Sequence, residues 1–216
     1  MEYILWMAVV LPVIFCGGVL HYKLKEQKND LWNLIPKCLS TWMMVCTAMI
    51  GVVKFHHREN DIWILIAMIF FIVADALLGI QFFVGMGVFA AGHLSLIVWF
   101  LQQGYFTLAY LLVWILGMLV MIFVFRKELS KGKEDPRLYL MLLYPAVLMA
   151  MMAMAVCLPF TAGPRYWWIG AGSVMFVISD MMVGKNFFGN LPEKAGFWAL
   201  LLYYIGILGI AMMTWA

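Results

Sequence analysis

The chain has 216 residues, 66% of them hydrophobic and only 12% charged, where an ordinary soluble domain carries roughly 25% charged residues. Folded in water it would expose most of its apolar surface, so the composition excludes a soluble globular domain and points to an integral membrane protein. The net charge of +3 is small, and no basic patch interleaved with aromatics points to nucleic acid.

Apolar runs of about 20 residues mark spanning helices. Eight are predicted, at 3–21, 34–53, 62–82, 84–101, 106–125, 138–158, 166–184 and 196–215. No linker or low-complexity stretch divides them, so residues 1–216 are expected to form one all-α bundle. Met1-Glu2 leads straight into the first run without a basic n-region, which predicts a permanent helix rather than a cleaved signal. Cys16, Cys38, Cys46 and Cys157 form no CxxC pair and lie in apolar runs, as reduced packing residues do.

Orientation follows from Lys and Arg in the connections. Lys23, Lys25, Lys28, Arg126, Lys127, Lys131, Lys133, Arg137, Lys185 and Lys194 follow odd-numbered spans, whereas Lys54, Arg58 and Arg165 follow even-numbered ones. The positive-inside rule puts the first face in the cytoplasm and both termini on the non-cytoplasmic side. Lys37, the remaining cation, lies inside the second span.

A pattern recurs in the third and seventh spans. Phe71, Asp75, Gly79 and Phe82 stand at i, i+4, i+8 and i+11, and Phe176, Asp180, Gly184 and Phe187 repeat them 105 positions later. That spacing is one stripe of an α-helix. An even number of spans separates the two, so both run the same way and the repeat is direct. It suggests two four-helix halves about an axis along the membrane normal. His93 breaks the repeat, since its counterpart is Trp198.

A carboxylate in a spanning helix costs a few kcal/mol even on lenient scales, so Asp75 and Asp180 are candidate functional residues by default. Lys37, Asp75, His93 and Asp180 are all expected within roughly 15 Å of the cytoplasmic boundary at about 1.5 Å rise per residue. Tyr144 falls in the same layer. Only an inward orientation lets such groups find partners. Gly79 and Gly184, one turn beyond each Asp, allow a close approach by backbone or ligand. A buried Lys–Asp pair that fixes helix register is the plain alternative, but one cation cannot neutralise two carboxylates. His93 by itself is as compatible with a packing role as with lining a site. The spans lack the several His residues a membrane zinc hydrolase needs, and no G-x-S-x-G elbow is present, so neither a metal site nor a covalent nucleophile is predicted.

These residues resemble the YhhN family of eight-helix membrane proteins, which includes the animal lysoplasmalogenases. The matching features are Lys37-Cys38-Leu39, Ala74 to Gly79, Gly92-His93, Tyr144-Pro145 and, most specific, Gly170 to Asp180. Two departures concern fine preference: Pro36 precedes the Lys where the family often has Pro after it, and Leu96 stands where an aromatic is common. The resemblance implies hydrolysis of the vinyl ether of lysoplasmalogens to a fatty aldehyde and glycerophospho-ethanolamine or -choline, with no metal or organic cofactor. The expected partners are a lysophospholipid substrate and the bilayer itself, with the site toward the cytoplasmic leaflet.

Vinyl ether cleavage begins with protonation of the alkene carbon, and water then adds to the oxocarbenium ion. One carboxylic acid and one carboxylate meet that need. Which Asp takes which role is not fixed by the sequence, and the reading favours Asp75 as base and Asp180 as acid. Lys37 would bias one Asp toward ionisation or meet the phosphate, and Tyr144 and Ser179 would orient water or a carboxyl group. His93 is a further candidate for lining the site, and Phe71, Phe82 and Phe176 are expected along the acyl-chain path. The competing readings are a proton-coupled transporter or a lipid-binding protein without turnover. Against the transporter, neither Asp has a Pro or Gly break beside it. An intramembrane aspartic protease is disfavoured because neither Tyr-Asp nor Gly-x-Gly-Asp occurs.

Overall fold

A computed structural model describes residues 2–26, 32–55, 59–104, 107–131, 137–189, 192 and 194–215, all in helices or short connections, with no strand among them. Lys28, Arg58 and Lys133 of the charge pattern lie outside the described residues. In chain order the helices are α1 (Glu2–Glu26), α2 (Leu34–Phe55), α3 (Ile62–Ile80), α4 (Phe82–Gln102), α5 (Leu108–Val124), α6 (Arg126–Lys131), α7 (Arg137–Ala162), α8 (Trp167–Phe187) and α9 (Ala195–Ala211), the last running into a 3-10 turn, Met212–Trp215.

Seven of these segments are long and apolar enough to cross a membrane: those of α1, α2, α3, α4, α7, α8 and α9. This is the architecture of an integral multi-pass membrane protein. The predicted fifth span, 106–125, is instead the 17-residue helix α5 followed at Phe125 by the short polar helix α6. Arg126-Lys127-Glu128 follows directly, and charge that dense ends an apolar helix. Most of α5 is exposed apolar surface, including Leu112, Leu116, Leu119 and Phe123.

The expected continuous stripe on the third span is also revised. Gln81 is extended (φ −145°, ψ 100°), so α3 ends at Ile80 and Phe82 opens α4 instead of continuing the α3 face. The chain can double back here because residue 85 is Gly: a Cβ on Gly85 would lie 2.6 Å from the Leu78 backbone nitrogen. The hairpin of α3 and α4 and that of α8 and α9 are the most extensive helix pairings. The second depends on small residues, since a Cβ on Gly172 would stand 2.7 Å from the Gly206 carbonyl oxygen, and one on Gly209 2.7 Å from that of Trp168. In lipid, where apolar burial drives helices together weakly, such backbone proximity is what holds them.

Met44, Met68, Leu96, Leu148 and Ile207 fill the centre with no exposed surface. The α1 helix and the C-terminal turn are tied to α2 through one residue: Trp6 Nε1 donates to Thr47 Oγ1 (3.0 Å) and Trp215 Nε1 to the Thr47 carbonyl (2.8 Å). The four cysteines are free thiols.

Candidate functional site

Asp75 projects from α3 into a cluster contributed by three helices. Lys37 and Thr41 stand one turn apart on α2, so their side chains share a face. Lys37 Nζ lies 2.9 Å from Asp75 Oδ1, and Thr41 Oγ1 donates to Oδ2 at 2.5 Å. Tyr203 of α9 donates its phenol to the same Oδ2 at 2.6 Å. The carboxylate is fully buried and meets one cation and two hydroxyl donors. Its charge and its lone pairs are thus both answered.

Asp180 on α8 has a different environment. The Tyr144 hydroxyl of α7 donates to its Oδ2. Tyr144 also approaches Nε2 of the fully buried His93 at 3.5 Å, whereas His93 Nδ1 has no hydrogen-bond partner among the described residues. Helix α7 thus serves Asp180 with a neutral phenol, where α2 serves Asp75 with an ammonium.

Both acids line one cavity of about 340 Å³, together with Lys37, Gly79, Phe82 and Ser179. A second cavity of about 160 Å³ adjoins it and is lined by Asp180, Tyr144, Phe82 and Gly184, with Met118 and Met121 of α5. The residues of both belong to one end of the bundle: the starts of α2, α4, α7 and α9 and the ends of α3, α5 and α8.

The other predicted residues are placed as follows. Ser179 is a cavity residue whose hydroxyl is already bonded to the Ala199 carbonyl (2.7 Å), which ties α8 to α9. The space beside Gly79 is filled by the Leu34 side chain and that beside Gly184 by the Phe125 ring. Phe71 and Phe176 are not placed on a chain path: both are fully buried, pack on each other and line neither cavity. Their rings form an aromatic floor with Phe89, whose ring lies 5.6 Å from Phe71 and 6.0 Å from Phe176. His93 sits in that floor as well, edge-on to Phe176 at 4.8 Å, and lines neither cavity. Phe82 does line both, and stacks on Phe187 at 4.1 Å.

Thr41 and Tyr203 are not among the residues expected from the sequence, since neither carries a charge that stands out in an apolar run. Thr41 was findable: it stands four residues beyond Lys37, on the same helical face. Nothing local marks Tyr203, since only the approach of α9 to α3 brings it to Asp75.

A family model described as the YhhN family matches residues 32–214. The chain belongs to the YhhN family. Searches of curated proteins and of solved structures find no match. YhhN membership suggests a lysoplasmalogenase-like membrane protein in a family associated with hydrolase activity. The stretch matching the YhhN model holds every site residue expected from the sequence, and Thr41 and Tyr203 besides. Among the described residues no three His, Cys, Asp or Glu side chains gather as a metal site.

Proposed function

We propose that the protein hydrolyses the vinyl ether of a lysoplasmalogen, or of a closely related lysophospholipid, by acid–base catalysis between Asp75 and Asp180. The observation that carries this reading is the shared cavity lined by two carboxyl groups with unlike partners. Asp180 is the acid: it gives its proton to the alkene carbon β to the ether oxygen, producing an oxocarbenium ion. Asp75, held by Lys37, Thr41 and Tyr203, is the carboxylate that faces this cation and takes a proton from the attacking water. The hemiacetal then collapses: Asp75 gives its proton to the departing glycerol oxygen while the hemiacetal hydroxyl gives its proton to Asp180, which yields the fatty aldehyde and the glycerol alcohol and restores both acids. Lys37 holds Asp75 through their ion pair, and Tyr144 orients the Asp180 carboxyl group.

The same reading takes α5 as an eighth span. At about 1.5 Å per residue its 17 residues reach roughly 25 Å, and its exposed Leu and Phe side chains suit lipid. The direct four-plus-four repeat is supported by the equivalent hairpins α3–α4 and α8–α9. The positive-inside pattern puts the site toward the cytoplasmic leaflet and both termini opposite.

The test is aldehyde release from a lysoplasmalogen by purified protein in proteoliposomes, with Asp75→Asn and Asp180→Asn compared. Loss of turnover in both folded variants supports the assignment. Retention of normal turnover in both overturns it.

A further inference from the structure

The two cavities differ in chemistry and meet at one acid. Asp180, Phe82, Phe89, Leu78 and Val183 line both, whereas Asp75 lines only the larger and Tyr144 only the smaller. Away from that junction the larger cavity is the more polar of the two, with Lys37, Asn33, Asn186 and His21 beside Leu34, Met182, Phe187 and Leu200. The smaller runs between Met118, Met121 and Ile122 of α5 and Leu148 of α7. Its charged lining residue away from the junction, Glu128, is ion-paired with Lys185 at 2.7 Å.

We infer that the two cavities divide one lysophospholipid between them: the polar cavity takes the glycerophosphate end, the α5 cavity takes the first part of the hydrocarbon chain, and the ether linkage lies beside Asp180. This rests on the hydrolase reading for the chemistry and adds to it the direction in which the substrate lies. Phosphate and glycerol oxygens need donors and positive charge: Lys37, Asn33 and Asn186 line the larger cavity, whereas among the described residues no Lys, Arg, His or Asn lines the smaller. A hydrocarbon chain needs neither. It also gains little by leaving lipid for an equally apolar cavity, so the α5 cavity contributes register more than affinity.

Register is what the reaction demands. The carbon to be protonated is on the chain side of the ether oxygen, and Asp180 with Tyr144 faces the chain cavity. The alcohol that leaves is on the glycerol side, where Asp75 stands. The reverse placement would put the alkene beyond Asp75 and the phosphate among the methionines.

Gly196 offers a clean block, because it lines the polar cavity and a Cβ built there meets no atom within 4 Å. The experiment is photo-crosslinking of the full-length protein in nanodiscs with a saturated alkyl-ether lysophosphatidylcholine carrying a diazirine at mid-chain or at the head group, with adducts mapped by mass spectrometry. The mid-chain probe is expected on Met118, Met121 or Leu148, and the head probe on residues from Asn33 to Lys37 or from Gly196 to Leu200. Gly196→Leu is expected to lower labelling by both lysophospholipid probes several-fold, and to leave labelling by a diazirine fatty alcohol unchanged. Exchanged positions, or adducts confined to lipid-facing Leu112, Leu116 and Phe123, overturn the inference. Gly196→Leu lowering the fatty alcohol's labelling equally overturns it too. Because the probe has no vinyl ether, its adducts report occupancy even if no aldehyde is ever released. Aldehyde release with exchanged adducts would instead leave the hydrolase reading standing without this one.

Discussion

Phe71 and Phe176 stand 105 positions apart and their rings meet at a centroid distance of 5.4 Å. The same separation joins Phe82 to Phe187, stacked at 4.1 Å and 14°. Residues equivalent in the repeated pattern therefore touch their own counterparts, as the two sides of an isologous interface do. Asp75 and Asp180 lie between these two ring pairs in sequence and line one cavity in space. Their partners differ, Lys37 on one side and Tyr144 on the other, so two identical acids sit in unlike surroundings.

Tyr144→Phe removes the donor to Asp180 and keeps the ring. A hydrogen bond to a charged or reacting group contributes about 1.5–3 kcal/mol, so turnover is expected to fall roughly ten- to a hundredfold with the fold retained. Aldehyde-release rates beside thermal unfolding in detergent check this. Unchanged rates would remove Tyr144 from the mechanism.

Lys37→Met leaves the Asp75 carboxylate buried without its cation. Breaking such a pair costs about 3–5 kcal/mol, so the unfolding temperature should drop sharply. Adding Asp75→Asn should recover much of that loss, because no charge remains stranded, and should not recover activity. A double-mutant cycle on stability measures the coupling, and strict additivity would contradict the ion pair.

Thr41→Val and Tyr203→Phe each delete one hydroxyl donor to Asp75 Oδ2. Each is expected to destabilise by about 1–3 kcal/mol. The double variant should lose less than the sum, since both serve one oxygen. Chemical denaturation of the single and double variants gives the comparison.

Gly172→Val tests the α8–α9 hairpin. A Cβ there would sit 2.7 Å from the Gly206 carbonyl oxygen, so the helices must separate, at a cost of about 1–3 kcal/mol or more. The same substitution at Gly87, where a Cβ meets nothing within 4 Å, should be tolerated. Equal melting temperatures for the two variants would show that the close approach is not structural.

Much of this molecule was readable in one dimension. Asp75 and Asp180 stand out because a charge in an apolar run has few permissible surroundings, and Lys37, His93 and Tyr144 were expected in their layer for the same reason. Phe82 was misread because a helical spacing of eleven does not reveal that Gln81 has left the helix. The fifth predicted span corresponds to α5, Leu108–Val124, which is shorter than the seven apolar segments of spanning length because Arg126-Lys127-Glu128 follows it so closely.

Composition and charge pattern alone determined a helical membrane protein with two acids inside it, since bilayer insertion filters residue types directly and depends little on which helices are neighbours. Only the tertiary structure decided that Tyr203 completes the Asp75 cluster, that Phe71 and Phe176 are floor and not passage, and that one cavity joins both carboxyl groups. Those outcomes depend on how α8 and α9 dock against α2, α3 and α7, and docking is set by side-chain shapes meeting across helices far apart in the chain.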